Sequence, residues 1–160
     1  NSDNGSYISL VHLYGRRYYD AWSEAAGAEA PLTAGDFADL SAEDLTRMWL
    51  LCYQFITGNR RHGELMGALF ETPNRSAIQP VLGKAYKTQT KGGWIAERVS
   101  ASADAGIVYA GKHPYVLALV SDYPSDLRKL EPYVALMNRI HMELTGDRIA
   151  RKRSREFVRE

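Results

Sequence analysis

Residues 84–121, KAYKTQTKGGWIAERVSASADAGIVYAGKHPYVLALVS, mark the place where the chain changes its period. The segment KAYKTQTKGGWI alternates up to Gly92-Gly93, DAGIVYA is a short β-branched and aromatic run, and HPYVLALVSD is almost continuously apolar. These runs predict three neighbouring antiparallel strands, near Ala85 to Lys91, Ala105 to Ala110 and Tyr115 to Ser121. Gly111-Lys112 joins the last two in a tight hairpin.

On both sides of this stretch the apolar residues follow helical spacing. Upstream, helices are predicted over about Asn4 to Leu13, Arg16 to Ala26, Ala42 to Ile56 and Gly63 to Phe70. The third starts at Ser41, where Ser-x-x-Asp resembles a capping box, and it places Leu45, Met48, Trp49, Cys52 and Phe55 on one apolar face. That pattern predicts a central buried helix. The stretch GAEAPLTAGDFADL, residues 27–40, has no strong period and reads as a loop. Pro73 and Pro80 limit any helix after Phe70 to a turn or two. Downstream of Ser125 a long helical pattern returns, with Leu127, Leu130, Tyr133, Val134, Met137, Ile140, Met142 and Leu144 in a broad apolar stripe. A helix from about Asp126 is therefore expected to cover one face of the sheet. The order gives an α+β domain in three parts: 1–83 mainly helical, 84–122 sheet strands, 123–160 a C-terminal helix and basic tail.

Composition narrows the functions. With 160 residues, 45% of them hydrophobic, one domain can bury a sizeable core. Lys plus Arg number 20 against 19 Asp plus Glu, so the net charge of +1 gives no overall pull toward nucleic acid or membrane. The basic run RIARKRSREFVRE, residues 148–160, reads as a solvated helix face. Cys52 is the single cysteine and lies in MWLLCYQF, which excludes an intrachain disulfide and a zinc motif and reads as a small core residue. His12, His62, His113 and His141 have no metal-ligand spacing, and no glycine-rich phosphate loop occurs, so no cofactor is expected. No apolar run approaches membrane-spanning length and no signal peptide is visible. A start at NSDNG, without Met, reads as the start of a trimmed or partial chain.

Two tripeptides carry chemistry. Ser2-Asp3-Asn4 stands at a helix start, where its side chains can cap the first turn. Lys91-Gly92-Gly93 lies on a predicted strand and is followed by Trp94, and Lys87-Thr88-Gln89 offers a second register that keeps a Thr and loses the Gly. Taken in this order, with DAGIVYAGKHPYVLALV downstream, the residues resemble the penicillin-recognising serine hydrolases, which include class A β-lactamases and D,D-peptidases. Members share Ser-x-x-Lys, Ser-Asp-Asn, and Lys-Thr-Gly or a variant. Ser2-Asp3-Asn4 matches the second element without substitution, and Lys91-Gly92-Gly93 matches the third with Gly in the hydroxyl position.

The resemblance implies a β-lactamase/transpeptidase-like fold and an acyl-serine mechanism on β-lactam or D-Ala-type peptide amides. It gives Ser2 the role of proton relay and Asn4 a hydrogen bond to the substrate amide. Lys91 would raise the positive potential and support Ser2. Gly92 and Gly93 would let the strand lie against the substrate backbone, and the Trp94 N–H would donate to the oxyanion. Lys91 could equally be a solvated strand lysine, and Trp94 a packing residue. The resemblance also implies an extracytoplasmic location and a cell-wall peptide as ligand.

Two departures qualify it. No serine of the chain is followed by Lys three positions later, so the nucleophile is expected in a preceding segment or a second chain, and this chain alone is predicted inactive. Between Gly27 and Ser41, Glu29, Asp36 and Asp39 are available, yet none stands in the Glu-x-x-Leu-Asn that activates the deacylating water of class A enzymes. A slow acyl-enzyme or a peptidase-like activity of the parent fits better. The second reading is a non-catalytic module of the same fold that binds a cell-wall peptide or a protein. In the hydrolase reading Ser2 and Lys91 converge on one cleft, with Asn4 pointing into it and apolar surface exposed where the Ser-x-x-Lys helix would lie.

Overall fold

The computed structural model describes residues 4–29, 31–33, 38–73, 75–96 and 100–146. Five helices come first: α1 (Asn4–Tyr14), α2 (Arg17–Ala25), α3 (Ala42–Gly58), α4 (Arg60–Glu71) and the short α5 (Ile78–Leu82). Three strands follow, β1 (Lys87–Ala96), β2 (Ser100–Tyr109) and β3 (Tyr115–Ser121), then a 3-10 turn (Leu127–Leu130) and α6 (Glu131–Thr145). The sheet is antiparallel in the order β1-β2-β3, with Gly92 opposite Asp104 and Ala105 opposite Ala118. Gly111 takes the left-handed φ of +53° that the turn between β2 and β3 requires.

Alternation along β2 divides the core into two layers. Val108 faces the layer built by Ile78, Leu82, Leu127, Leu130, Val134 and Met142, which come from α5, the 3-10 turn and α6. Ala105 and Ile107 face the other layer, where Trp49 and Cys52 of α3 pack with Phe70 of α4. Apolar side chains on both faces of a strand explain why β2 is the central one. Trp49 and Phe70 meet edge to face, with ring centroids 5.0 Å apart.

The capping box is present at α3. The Asp44 N–H donates to Ser41 Oγ at 3.1 Å, and the Ser41 N–H donates to Asp44 Oδ2 at 2.9 Å. These bonds, the Ser41 hydroxyl first, hold the Asp44 carboxyl below its ordinary pKa. Its contribution to stability is present above that ordinary value and is lost as pH falls through the lowered one. Ser41→Ala is expected to reduce stability by about 1 kcal/mol in urea unfolding and to move the acid-unfolding midpoint to higher pH. An unchanged acid limb would remove the cap from this account.

Four expectations are corrected. β1 does not stop at Lys91 but continues through Gly92, Gly93 and Trp94 to Ala96, because both glycines are paired in the ladder, opposite Asp104 and Ala103. β2 begins at Ser100 rather than Ala105. Its buried polar residues find partners across the fold: Ser102 Oγ donates to the Tyr123 carbonyl at 2.6 Å, and one oxygen of Asp104 binds the turn before α5. Phe55 is 43% exposed, so the buried face of α3 ends at Cys52. The apolar stripe of the last helix also splits. Leu127 and Leu130 fall in the separate 3-10 turn, Val134 and Met142 are buried, and Tyr133, Met137, Ile140 and Leu144 are exposed on α6. Eight apolar positions around one helix exceed what a single sheet face covers.

Candidate functional site

β1 has a strand neighbour on one side only, so its other edge pairs with no strand among the described residues. Successive side chains of β1 point to opposite faces. Lys91 and Gly93 look toward the helical layer, whereas Thr90, Gly92 and Trp94 look toward the turn that precedes α5. On the helical side Lys91, Gly92 and Gly93 form one wall of a cavity of about 330 Å³ whose other walls include Trp22, Met48, Trp49, Cys52 and Phe70. Lys91 is the one charged residue on those walls among the described residues. A second hollow of about 530 Å³, lined by Tyr14, Tyr18, Tyr19, Trp22 and Leu32, shares Trp22 and Leu32 with the first. Together they make an aromatic trench that runs from α1 and α2 to the strand lysine.

Lys91 is exposed, and its Nζ donates to the Gly92 carbonyl at 2.5 Å. The apolar surroundings of the ammonium lower its pKa, and the negative charge of Asp104 works against that shift. Gly92 is buried, and its lack of a side chain has a definite cause. A Cβ there would lie 2.6 Å from the Arg75 carbonyl oxygen and 2.9 Å from Leu127 Cδ1. A Cβ on Gly93 would meet nothing within 4 Å, so the strand is open to approach at that residue. Trp94 is 39% exposed, with the Arg75 guanidinium 4.6 Å above its ring.

Ser2 and Asp3 lie outside the described residues. Asn4 is the first residue of α1 and is exposed, and α1 buries none of its side chains. Tyr7, Ile8, Leu10, Leu13 and Tyr14 on that helix are all exposed. Lys87, the alternative motif lysine, is engaged elsewhere: its Nζ is 2.7 Å from Glu71 Oε1 and 5.6 Å from the centroid of the Tyr109 ring. Of the loop carboxylates, Asp36 lies outside the described residues and Asp39 is exposed. Glu29 contributes its backbone N–H to Asp44 Oδ1 at 3.0 Å. Burial pushes the Cys52 thiol up to about 11, which leaves it protonated near neutral pH. His141 stacks on Tyr115 at 4.0 Å and bonds to the His113 carbonyl. No group of three or more His, Cys, Asp or Glu among the described residues could hold a metal ion, and no helix there is long and apolar enough to cross a membrane.

Residues that sequence reasoning missed lie beneath the motif strand. Asp104 is fully buried, and its Oδ2 accepts hydrogen bonds from Ser76 Oγ at 2.6 Å, the Ala77 N–H at 2.5 Å and the Ile78 N–H at 2.9 Å. Thr90 Oγ1 of β1 reaches the same Ser76 hydroxyl at 3.0 Å. The signal was a carboxylate inside the run SADAGIVY, since Asp is almost never buried without partners. Arg75 carried no such signal, because its position depends on the fold of the turn.

The sequence model of the Beta-lactamase enzyme family matches residues 1–145. Two solved structures of PBP-A superpose on the chain. An acyl-enzyme complex of a point mutant of PBP-A with penicillin G gives a TM-score of 0.58 at 22% identity, and a second structure of PBP-A gives 0.56 at 22%. Each alignment covers 78% of this chain and 50% of the other, so the chain spans half the length of these structures. No curated protein matches it. The α+β architecture is that of β-lactamases and penicillin-binding proteins. With nine-tenths of the sequence matched, the chain belongs to the β-lactamase enzyme family, within the penicillin-recognising serine hydrolases.

Proposed function

We propose that this chain supplies the substrate-holding and relay side of an acyl-serine hydrolase, acting on β-lactams or on D-Ala-type peptide amides, with the nucleophilic serine on a segment outside these 160 residues. The observation that carries the reading is the placement of Lys91-Gly92-Gly93 on a strand edge that pairs with no strand among the described residues, beside an apolar cavity whose one charged wall residue among them is Lys91. A free edge offers backbone N–H and C=O groups to an extended peptide. Low-polarity walls strengthen the field of an ammonium at the reacting centre.

In this mechanism the serine oxygen of a Ser-x-x-Lys helix attacks the amide carbonyl carbon while a base takes its proton. Negative charge develops on the carbonyl oxygen, where the Trp94 N–H is one donor. Ser2 passes a proton to the departing nitrogen, Lys91 stabilises the relay, and Asn4 binds the substrate amide. Water then releases the acyl group. The loop before α3 reads Glu29-Ala30-Pro31-Leu32-Thr33, with Thr where the Glu-x-x-Leu-Asn of class A enzymes has Asn, and on that departure release is taken to be slow, as in a penicillin-binding or peptidase-like protein.

The second reading is a non-catalytic module that binds a cell-wall peptide or a protein, favoured by the absence of Ser-x-x-Lys from the sequence. One experiment separates the two. A polypeptide joining this chain to a Ser-x-x-Lys segment of the same fold is expected to take up fluorescent penicillin, and Lys91→Ala is expected to slow that uptake roughly 100-fold or more, the scale of a proton-transfer contribution. Labelling at an unchanged rate in the variant would remove Lys91 from the mechanism, and no labelling of the joined protein would favour the module.

A further inference from the structure

We propose that Arg75, stacked on Trp94, is a specificity-determining residue that grips the carboxylate of a ligand laid along β1, the group that penicillins and peptides ending in D-Ala share. The inference rests on the hydrolase reading for its choice of ligand, while the contacts that carry it exist without one.

Both partners are fixed by the fold. The Arg75 carbonyl oxygen lies 2.6 Å from where a Cβ on Gly92 would stand. The next residue, Ser76, donates to Asp104 Oδ2 at 2.6 Å and accepts from the Thr90 hydroxyl at 3.0 Å, so the turn is tied to both β2 and β1. Trp94 pairs with Ser102 in the β1–β2 ladder and shares the face of Gly92. From the anchored turn the Arg75 side chain sets its guanidinium 4.6 Å from the centroid of the indole ring. A long side chain has thereby given up much of its freedom before a ligand arrives, which lowers the entropic cost of binding one.

Stacking occupies the flat face of a guanidinium and leaves its rim, where five N–H donors form a fork that matches the two oxygens of a carboxylate. Arg75 is exposed and makes no ion pair among the described residues, whereas Lys87 is paired with Glu71 and Arg47 with Glu43. The side of approach is also defined. Ser102, opposite Trp94, is buried and donates to the Tyr123 carbonyl, so the chain after β3 closes the β2 side of the pair. What stays open is the edge of β1 that pairs with no strand among the described residues, at Gly93, where a Cβ would meet nothing within 4 Å. A ligand extended along that edge has Lys91 on one face of the strand and Arg75 on the other. The two cations differ in kind. The ammonium is a point charge at the cavity wall, and the guanidinium is a planar fork suited to a planar anion.

The test is equilibrium binding of acetyl-D-alanyl-D-alanine and of its C-terminal amide to the 160-residue chain, read by NMR from the indole N–H of Trp94, assigned through Trp94→Phe. The acid is expected to shift that resonance and to bind about 10-fold or more tightly than the amide, the scale of a charge-assisted pair. Arg75→Ala is expected to bring the two ligands to within about 2-fold of each other, because the remaining attraction of Lys91 acts through solvent. Its Tm is expected to stay within about 2 °C, as for other exposed side chains. Arg75→Lys keeps the charge without the fork and is expected to recover only a small part of the preference. An acid preference retained in folded Arg75→Ala would assign the carboxylate to Lys91 and overturn the proposal, as would equal binding of acid and amide, or binding of neither, by the unaltered chain. The measurement involves neither a nucleophile nor turnover, so these results leave the penicillin-labelling expectation standing, and an unlabelled joined protein leaves the acid preference intact.

Discussion

Incubated with a fluorescent penicillin, the 160-residue chain on its own is expected to carry no covalent label, whereas the same chain joined to a Ser-x-x-Lys segment is labelled at one serine of that segment. The reason is proton chemistry. A serine hydroxyl becomes a useful nucleophile only beside a base that takes its proton, and no serine here is followed by a lysine three positions later. Several hydroxyls are already committed. Ser41 donates to Asp44 Oδ2 at 2.7 Å, Ser102 donates to the Tyr123 carbonyl, and Ser23 is 1% exposed. Ser76 does sit beside a carboxylate, but its oxygen is engaged by two N–H groups and the Thr90 hydroxyl, so it has no free lone pair aimed at a ligand. Cys52, the other potential nucleophile, is buried with its thiol pKa raised. Fluorescence on a denaturing gel and intact-protein mass give the answer. A stable penicilloyl mass gain on the chain alone would place the nucleophile within these residues and contradict the proposed division of labour. This contrast spans presence and absence of reaction, so it is the largest effect anticipated.

The same chemistry shows why some of the site could be read from the sequence and some could not. Lys91 was singled out because a lysine followed by two glycines and a tryptophan, late in a chain that begins with Ser-Asp-Asn, is rare in that order, and the structure puts it on the wall of an apolar cavity. The capping box at Ser41 and the last strand from Tyr115 to Ser121 were legible because each depends on neighbours in sequence. The continuation of β1 past Lys91 was not, since paired glycines in isolation signal a break, and the carbonyl that makes Gly92 necessary belongs to Arg75. Asp104 escaped notice for a related reason. Its partners Ser76, Ala77 and Ile78 precede it by more than twenty residues, and a polar residue in a strand looks like an edge until those donors are seen. The exposed side of α6, with Leu144 83% exposed, and the uncovered face of α1 mark where periodicity ran ahead of packing. An amphipathic pattern records that a surface is apolar but not which element of the fold covers it.

Placing a hydroxyl at position 92, where the proposed register puts the Thr of Lys-Thr-Gly, is expected to damage this protein rather than improve it. Gly92→Thr places a Cβ 2.6 Å from the Arg75 carbonyl oxygen and 2.9 Å from Leu127 Cδ1, and the two further atoms on that carbon have no free direction on the buried face. Leu127 can adjust its side chain, but the Arg75 carbonyl is backbone. It is held in place by the Asp104 bonds to Ser76, Ala77 and Ile78 and by the Thr90 bond to Ser76. Relief therefore requires either separating β1 from β2 at the Gly92 and Asp104 pair or breaking that network. Overpacking of this kind typically costs up to about 3 kcal/mol, which for a domain of this size corresponds to a Tm loss of roughly 6–12 °C. The control is the adjacent glycine. A Cβ on Gly93 meets nothing within 4 Å and its φ is not left-handed, so Gly93→Ala is expected to change Tm by no more than about 2 °C, consistent with a surface substitution. Equal stability of Gly92→Thr and Gly93→Ala in thermal and urea unfolding would show that the Arg75 turn yields freely, and Lys-Gly-Gly would then be a tolerated variation. A large loss at Gly92 alone would show that Lys-Gly-Gly and the turn before α5 are one packed unit, in which the backbone of Arg75 occupies the volume that a side chain at position 92 would need.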